Sequence, residues 1–209
     1  WDGQLLGLNQ YSINGSSLTD IKLPNKKLRL GFLVEQFIFA CLRENKHVEL
    51  IQSNIQVIDK KETIGELDCL ISDKGKHIHI EIIYKFYLYD PSIIGNEIDK
   101  WIGPNRNDSL KQKLTKLKTK QMPLIRHPKS NEIISDLGYN SGMFDQKVHF
   151  KAQLFIPLGQ SEQIITEVNT ACICGFYITS QELTLFKQNE FFIPSKLDWL
   201  IDPNSNVSW

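Results

Sequence analysis

The sequence predicts an α/β (α+β) fold, a central sheet flanked by helices, and three stretches carry that reading. His77–Tyr87 alternates with period two: Ile78, Ile80, Ile82, Tyr84 and Phe86 fall on one face, and His77, His79, Glu81, Ile83, Lys85 and Tyr87 on the other. Lys26–Asn45 reads as a helix that is apolar on nearly every side and therefore largely buried. Asp108 to Gln121 reads as a second helix, with Leu110, Leu114 and Leu117 as its buried stripe and Lys113, Lys116 and Lys120 along another side.

Taken in order, residues 1–25 are polar and turn-rich and read as an irregular lead-in. In the helix that follows, Glu35 and Gln36 are the only polar residues within Gly31–Leu42. Glu35 shares a face with Gly31, Phe32, Ile38, Phe39 and Leu42. A carboxylate in such company is costly unless something binds it; it either escapes to solvent past Gly31 or points at a site. Val48–Asp59 reads as the first core strand, closed by a turn at Asp59-Lys60-Lys61-Glu62. Glu66–Ser72 and His77–Tyr87 read as a hairpin joined through Asp73-Lys74-Gly75-Lys76. A two-residue or a four-residue loop gives the same register: Ser72 faces His77, Leu70 faces His79, and Asp68 faces Glu81. Two carboxylates opposite one another on a half-buried sheet face repel and call for a proton or a cation between them. Mg²⁺ (or Mn²⁺) takes oxygen ligands of this kind.

Gly65-Glu66-Leu67-Asp68, a short turn, then a hydrophobic strand carrying Glu81 and Lys85 resembles the core of the PD-(D/E)XK nuclease superfamily. The longer string through Phe86-Tyr87, with Trp101-Ile102-Gly103-Pro104-Asn105 after it, is similar to an uncharacterised bacterial family usually grouped with those nucleases, and that similarity reaches Leu197-Asp198-Trp199-Leu200. The resemblance implies a restriction-endonuclease-like mixed sheet flanked by helices over 26–130, with 131–209 as a β-rich C-terminal extension of the same unit. It implies hydrolysis of phosphodiester bonds in DNA or RNA, with Asp68, Glu81 and a helical Glu35 as metal ligands and Lys85 orienting the attacking water or neutralising developing charge. The alternative is a nuclease-fold protein that binds nucleic acid or a protein partner without cutting. The chain departs from the superfamily pattern in two places. Leu67 stands where the motif has proline, and Ile83 stands where it has lysine, so Lys85 lies ~6.6 Å further along the same strand face.

The rest of the chain adds context. No acid occurs at 109–131, while Lys111, Lys113, Lys116, Lys118, Lys120, Arg126 and Lys129 do. Lys113, Lys116 and Lys120, with His79 beside the carboxylates, are the expected phosphate contacts, each neutralised phosphate releasing about 0.9 counterion. Trp101 either packs or covers the site. Pro123 is expected to end the lysine helix, and Asn107 or Asp108 to cap it. The stretch 131–146 is turn-rich and reads as a boundary. Beyond it Val148–Pro157, Ile164–Val168, Ala171–Thr179 and Phe191–Pro194 read as strands.

With 24 basic and 24 acidic residues the net charge is zero, which argues against non-specific coating of a polyanion. Cys41, Cys69, Cys172 and Cys174 complete no zinc set and are expected to be reduced thiols in a cytoplasmic protein. His77 and His79 lack a third zinc ligand nearby. No long apolar run predicts a membrane span, and no phosphate-cradling glycine loop is present. Proteins of the resembled fold often dimerise, so a homodimer is expected.

Overall fold

The computed structural model describes residues 4–5, 7–13, 29–161, 165, 167–191, 193–194 and 198–200. Most of the lead-in, the first turn of the helix expected from Lys26, part of the expected strand Ile164–Val168, and Leu197 lie outside them.

Helix α1 (Leu30–Glu44) leads into strand β3 (Val48–Asp59), which matches the bounds expected from the sequence. Strands β1 (Gln4–Leu5) and β2 (Leu8–Asn9) form a small separate hairpin upstream. β3 runs antiparallel to β4 (Glu62–Asp73), and β4 to β5 (Lys76–Tyr89). The β4–β5 loop is the two-residue option. Lys74 and Gly75 both take positive φ, 50° and 79°, as the tight hairpin turn matching strand twist requires. The pairs Ser72–His77 and Leu70–His79 form as the spacing predicts.

After β5 the chain passes through β6 (Trp101–Ile102), which pairs with the end of β5, and then through a helical run on the far face of the sheet. That run is α2 (Leu110–Lys116), a π-helical turn over Leu117–Gln121, and α3 (Met122–Leu124). Helix α4 (Pro128–Asp136) follows, and then β7 (Asp145–Pro157), which pairs parallel to β5 from Ile78–Asp145 to Leu88–Phe155. β8 (Ile173–Tyr177) pairs parallel to β7. The result is a six-stranded mixed sheet in the order β3-β4-β5-β7-β8, with β6 attached to β5.

β5 is central and covered on both faces, which is why its run is so hydrophobic. Under α1 lie Ile78, Ile80 and Ile82 with Cys69, Ile71, Phe39 and Leu42. The opposite face packs Ile83 and Tyr87 against Leu110, Leu114, Leu117, Val148 and Phe150. A third cluster joins Ile55, Val57, Leu67 and Leu70 to Ile125, Ile134 and Phe144 beneath α3 and α4. At Gly65, an added Cβ would sit 2.6 Å from Leu124 Cδ2. Glycine therefore lets α3 approach β4 closely.

Several local expectations change. Ser109, not Asn107 or Asp108, caps α2, accepting from the Gln112 N–H at 3.2 Å. Pro123 does not end the helix, because it falls in the turn after the π insertion and the helix runs to Leu124. The turn-rich stretch from 131 is crossed by α4, which Pro128 opens at a position where a missing N–H costs nothing. Ala171–Thr179 contributes only the five residues of β8 as strand, and the described residues of 191–194 are not strand. All four cysteines are free thiols, but only Cys69 is buried, and Cys174 is exposed. Trp101 is fully buried and packs edge-on against Tyr89, 5.1 Å between ring centroids. Among the described residues no helix is long and apolar enough to cross a membrane.

Candidate active site

The site begins where the β4–β5 ladder stops. The last paired residues are Cys69 and Ile80, and Asp68 and Glu81 stand one step beyond. From there the strands part, and the Ile82 N–H has no ladder carbonyl to take it. Asp68 supplies the acceptor instead: its Oδ2 accepts from Ile82 N at 2.7 Å. A backbone amide at the fork therefore fixes the carboxylate. The same face carries Glu81, which is completely buried. Its Oε1 lies 3.1 Å from His79 Nε2, and its Oε2 accepts from Gln121 Nε2 at 2.7 Å.

Burial pushes the Asp68 carboxyl up to about 8, with the Glu81 and Glu35 charges adding to the rise and the Ile82 N–H and Lys113 opposing it. Glu35, half-buried on α1, is also raised, first by burial and then by the charges of Glu66 and Glu81. Burial lowers the Lys113 amine, and Glu81 and Asp68 pull it back toward charge. Acids from α1, β4 and β5 thus share one electrostatic neighbourhood with an amine from α2. No three His, Cys, Asp or Glu side chains among the described residues are clustered closely enough to ligate one metal ion. The donor set still suits Mg²⁺, which binds through one or two carboxylates and keeps much of its water. Asp68 and Glu81 are two such groups, held at adjoining strand positions where a cation could replace the proton that Asp68 otherwise keeps.

The expected residues divide. Asp68, Glu81 and Glu35 come within electrostatic reach of one another, but the expected three-carboxylate metal set with Glu35 does not form among the described residues. Lys85 does not join them in this structure: its Nζ donates to Asp108 Oδ2 at 2.8 Å, each side chain about 40% exposed. The two extra residues of spacing carry it past the fork. Lys113, expected to meet phosphate on an outer face, turns inward, and its Nζ donates to Gln121 Oε1 at 2.9 Å. His79 is fully buried, so its place is beside Glu81 and out of reach of an external phosphate; its Nδ1 has no partner among the described residues. Lys116 and Lys120 are exposed and border a shallow trough with Lys111, Gln112, Thr115 and Thr119. His77 packs against Tyr139 and Phe144, centroids 5.1 and 5.5 Å away, in no metal-binding arrangement.

Two residues at this site escaped the sequence reading. Glu66 lies two positions before Asp68, and its period-two relation was there to be read. Gln121 carried no such signal, because its alignment depends on the π turn.

Fold and site together define an α/β protein with an acid pair at a strand fork, backed by a helix that contributes an amine. The chain matches the family described as domain of unknown function DUF1853 over residues 8–207, and it belongs to that family. No curated protein and no solved structure matches it.

Proposed function

We propose that this protein is a Mg²⁺-dependent (or Mn²⁺-dependent) nuclease that hydrolyses phosphodiester bonds in nucleic acid, a reading in keeping with its resemblance to the PD-(D/E)XK superfamily. The observation that carries it is the meeting of Asp68 and Glu81 at the fork between β4 and β5, with Asp68 pushed up by burial and by its neighbour. Two carboxylates placed this way gain most from a divalent cation between them.

Asp68 and Glu81 would hold the ion, with the Glu35 charge adding to the field around it. A divalent ion held there would supply a water of lowered pKa and offset charge on the phosphate. Asp68 is held at the fork by the Ile82 amide, so its free oxygen keeps one direction. Lys113 is the amine that bears on the acids and takes the role that the resemblance implied for Lys85: it neutralises charge developing on the phosphate oxygens as water attacks phosphorus and the P–O bond breaks. Lys116 and Lys120, exposed along the neighbouring trough of the helical run, would hold flanking phosphates.

A second reading is a nuclease-fold protein that binds nucleic acid or a protein partner without cutting. The occupancy of both Glu81 oxygens by His79 and Gln121, and of Lys85 by Asp108, favours it. Incubation of DNA and RNA substrates with Mg²⁺ or Mn²⁺ separates the two. The nuclease reading expects cleavage by wild type and none by Asp68→Ala of unchanged fold. Wild type that never cuts either substrate with either metal would leave the second reading.

A further inference from the structure

Gln121 makes two hydrogen bonds that together fix its orientation. Its Nε2 donates to Glu81 Oε2 at 2.7 Å, and its Oε1 accepts from Lys113 Nζ at 2.9 Å. The flipped amide would set an oxygen against a carboxylate and an NH₂ against an ammonium, so only this orientation satisfies both neighbours. The amide is thus a one-residue spacer between an amine and a completely buried acid.

The helix is built to deliver it. In an uninterrupted α-helix, residues i and i+8 lie about 80° apart around the axis, whereas i and i+7 nearly coincide. Lys113 and Gln121 are eight apart, and the π turn over Leu117–Gln121 absorbs the extra residue, with Met122 N–H returning to Leu117 O. An inserted residue of this kind weakens helix geometry and is concentrated at functional sites. α3 is in turn held against the sheet, because Gln146 Nε2 donates to the Met122 carbonyl and Leu124 abuts Gly65.

We infer that Gln121 is a positioning residue that keeps Lys113 and Glu81 apart, so that the carboxylate is held by a neutral amide a cation can displace, and the amine is left for a phosphate. Without the spacer the long, flexible lysine stem can swing its ammonium onto Glu81. The direct ion pair would offset the negative charge that the cation needs, which the neutral amide leaves in place. The inference rests on the nuclease reading for its purpose, but the spacing itself exists without any metal.

The test compares wild type with Gln121→Met, which keeps the side chain's length and bulk, and with Gln121→Ala. Competitive acetylation across a pH series, read for each lysine by peptide mass, reports the ionisation of the Lys113 amine in metal-free protein. Calorimetric titration reports Mn²⁺ affinity. The expected result is a higher Lys113 pKa in both variants, with Mn²⁺ binding weakened about 10–100-fold and circular dichroism unchanged. An unaltered Lys113 profile in folded Gln121→Met overturns the spacer. Failure of wild type to bind Mn²⁺ would count against the nuclease reading, and the acetylation profile would still decide the spacer.

Discussion

Asp68 is the residue on which the proposed chemistry turns, and its environment sets a pH dependence with a definite sign. Its carboxyl is raised from an ordinary 3.8 to about 8 in the folded chain. Between those values the native state holds a proton that the unfolded chain releases, so this group's contribution to stability is greatest below pH 4 and is lost as pH rises toward 8. Asp68→Asn removes that loss. Metal-free thermal melts should show the variant gaining on wild type as pH rises from 5 to 8.5, with little difference at pH 4. A constant difference across that range would mean that Asp68 is not raised. A cation must displace the same proton, so Mn²⁺ affinity should climb by up to about tenfold per pH unit below 8. At pH 6.5 binding should release close to one proton, seen as a dependence of calorimetric heat on buffer ionisation enthalpy.

At the same scale the two lysines give opposite expectations. Lys113→Met removes the amine beside the acids and should lower cleavage by about 100-fold or more, in the range of one lost electrostatic stabiliser. Lys85→Met breaks an ion pair whose partners are both about 40% exposed and should cost less than tenfold, since such pairs contribute little. The reverse order in a kinetic comparison would return the proposed role of the amine to Lys85 on the strand.

Among the elements, what the sequence made legible follows from where the information lies. The β4–β5 register was readable because period two, a glycine in the loop and opposed apolar residues all point to one pairing. It placed Asp68 opposite Glu81, and in the structure the ladder stops one pair short of them. The inward turn of Lys113 was not readable, because a lysine on a polar-looking helix side is ordinarily solvated, and only the site opposite reverses that. Gln121 was hidden for a different reason: helical periodicity assumes 3.6 residues per turn, and the π turn breaks it. α4 escaped because it is short and rich in turn-forming residues, yet Ile133, Ile134 and Leu137 supply a face for the cluster under β3.

The lysine side of the helical run carries its own prediction. Lys116→Ala and Lys120→Ala should each weaken binding to nucleic acid of any sequence and lower the slope of log affinity against log salt by about 0.9 on duplex DNA. Filter binding at several ionic strengths measures it. Salt slopes unchanged in both variants would show that these lysines face only solvent.

For the whole molecule, the parallel partner of the site strand comes from the second half of the chain. β7 borders β5 along nearly its whole length, and α4 seals the outer hairpin from a position just before it. A piece ending at residue 130 would leave the edge of β5 unpaired and its apolar faces half-covered, so it should fail to give the cooperative melt of the full chain. Ile134, fully buried in the outer cluster, should cost about 2–5 kcal/mol when truncated to alanine, measurable by urea denaturation. Its loss should depress the same single transition that reports the site strands.

The account depends most on whether the fork between β4 and β5 receives a divalent cation. Calorimetric titration of wild type and Asp68→Ala with Mg²⁺ and Mn²⁺ at pH 8 addresses it directly. The account predicts saturable binding by wild type that the substitution abolishes while the melting transition stays cooperative. Equal heats from the two proteins, or none from wild type with either ion, would contradict it.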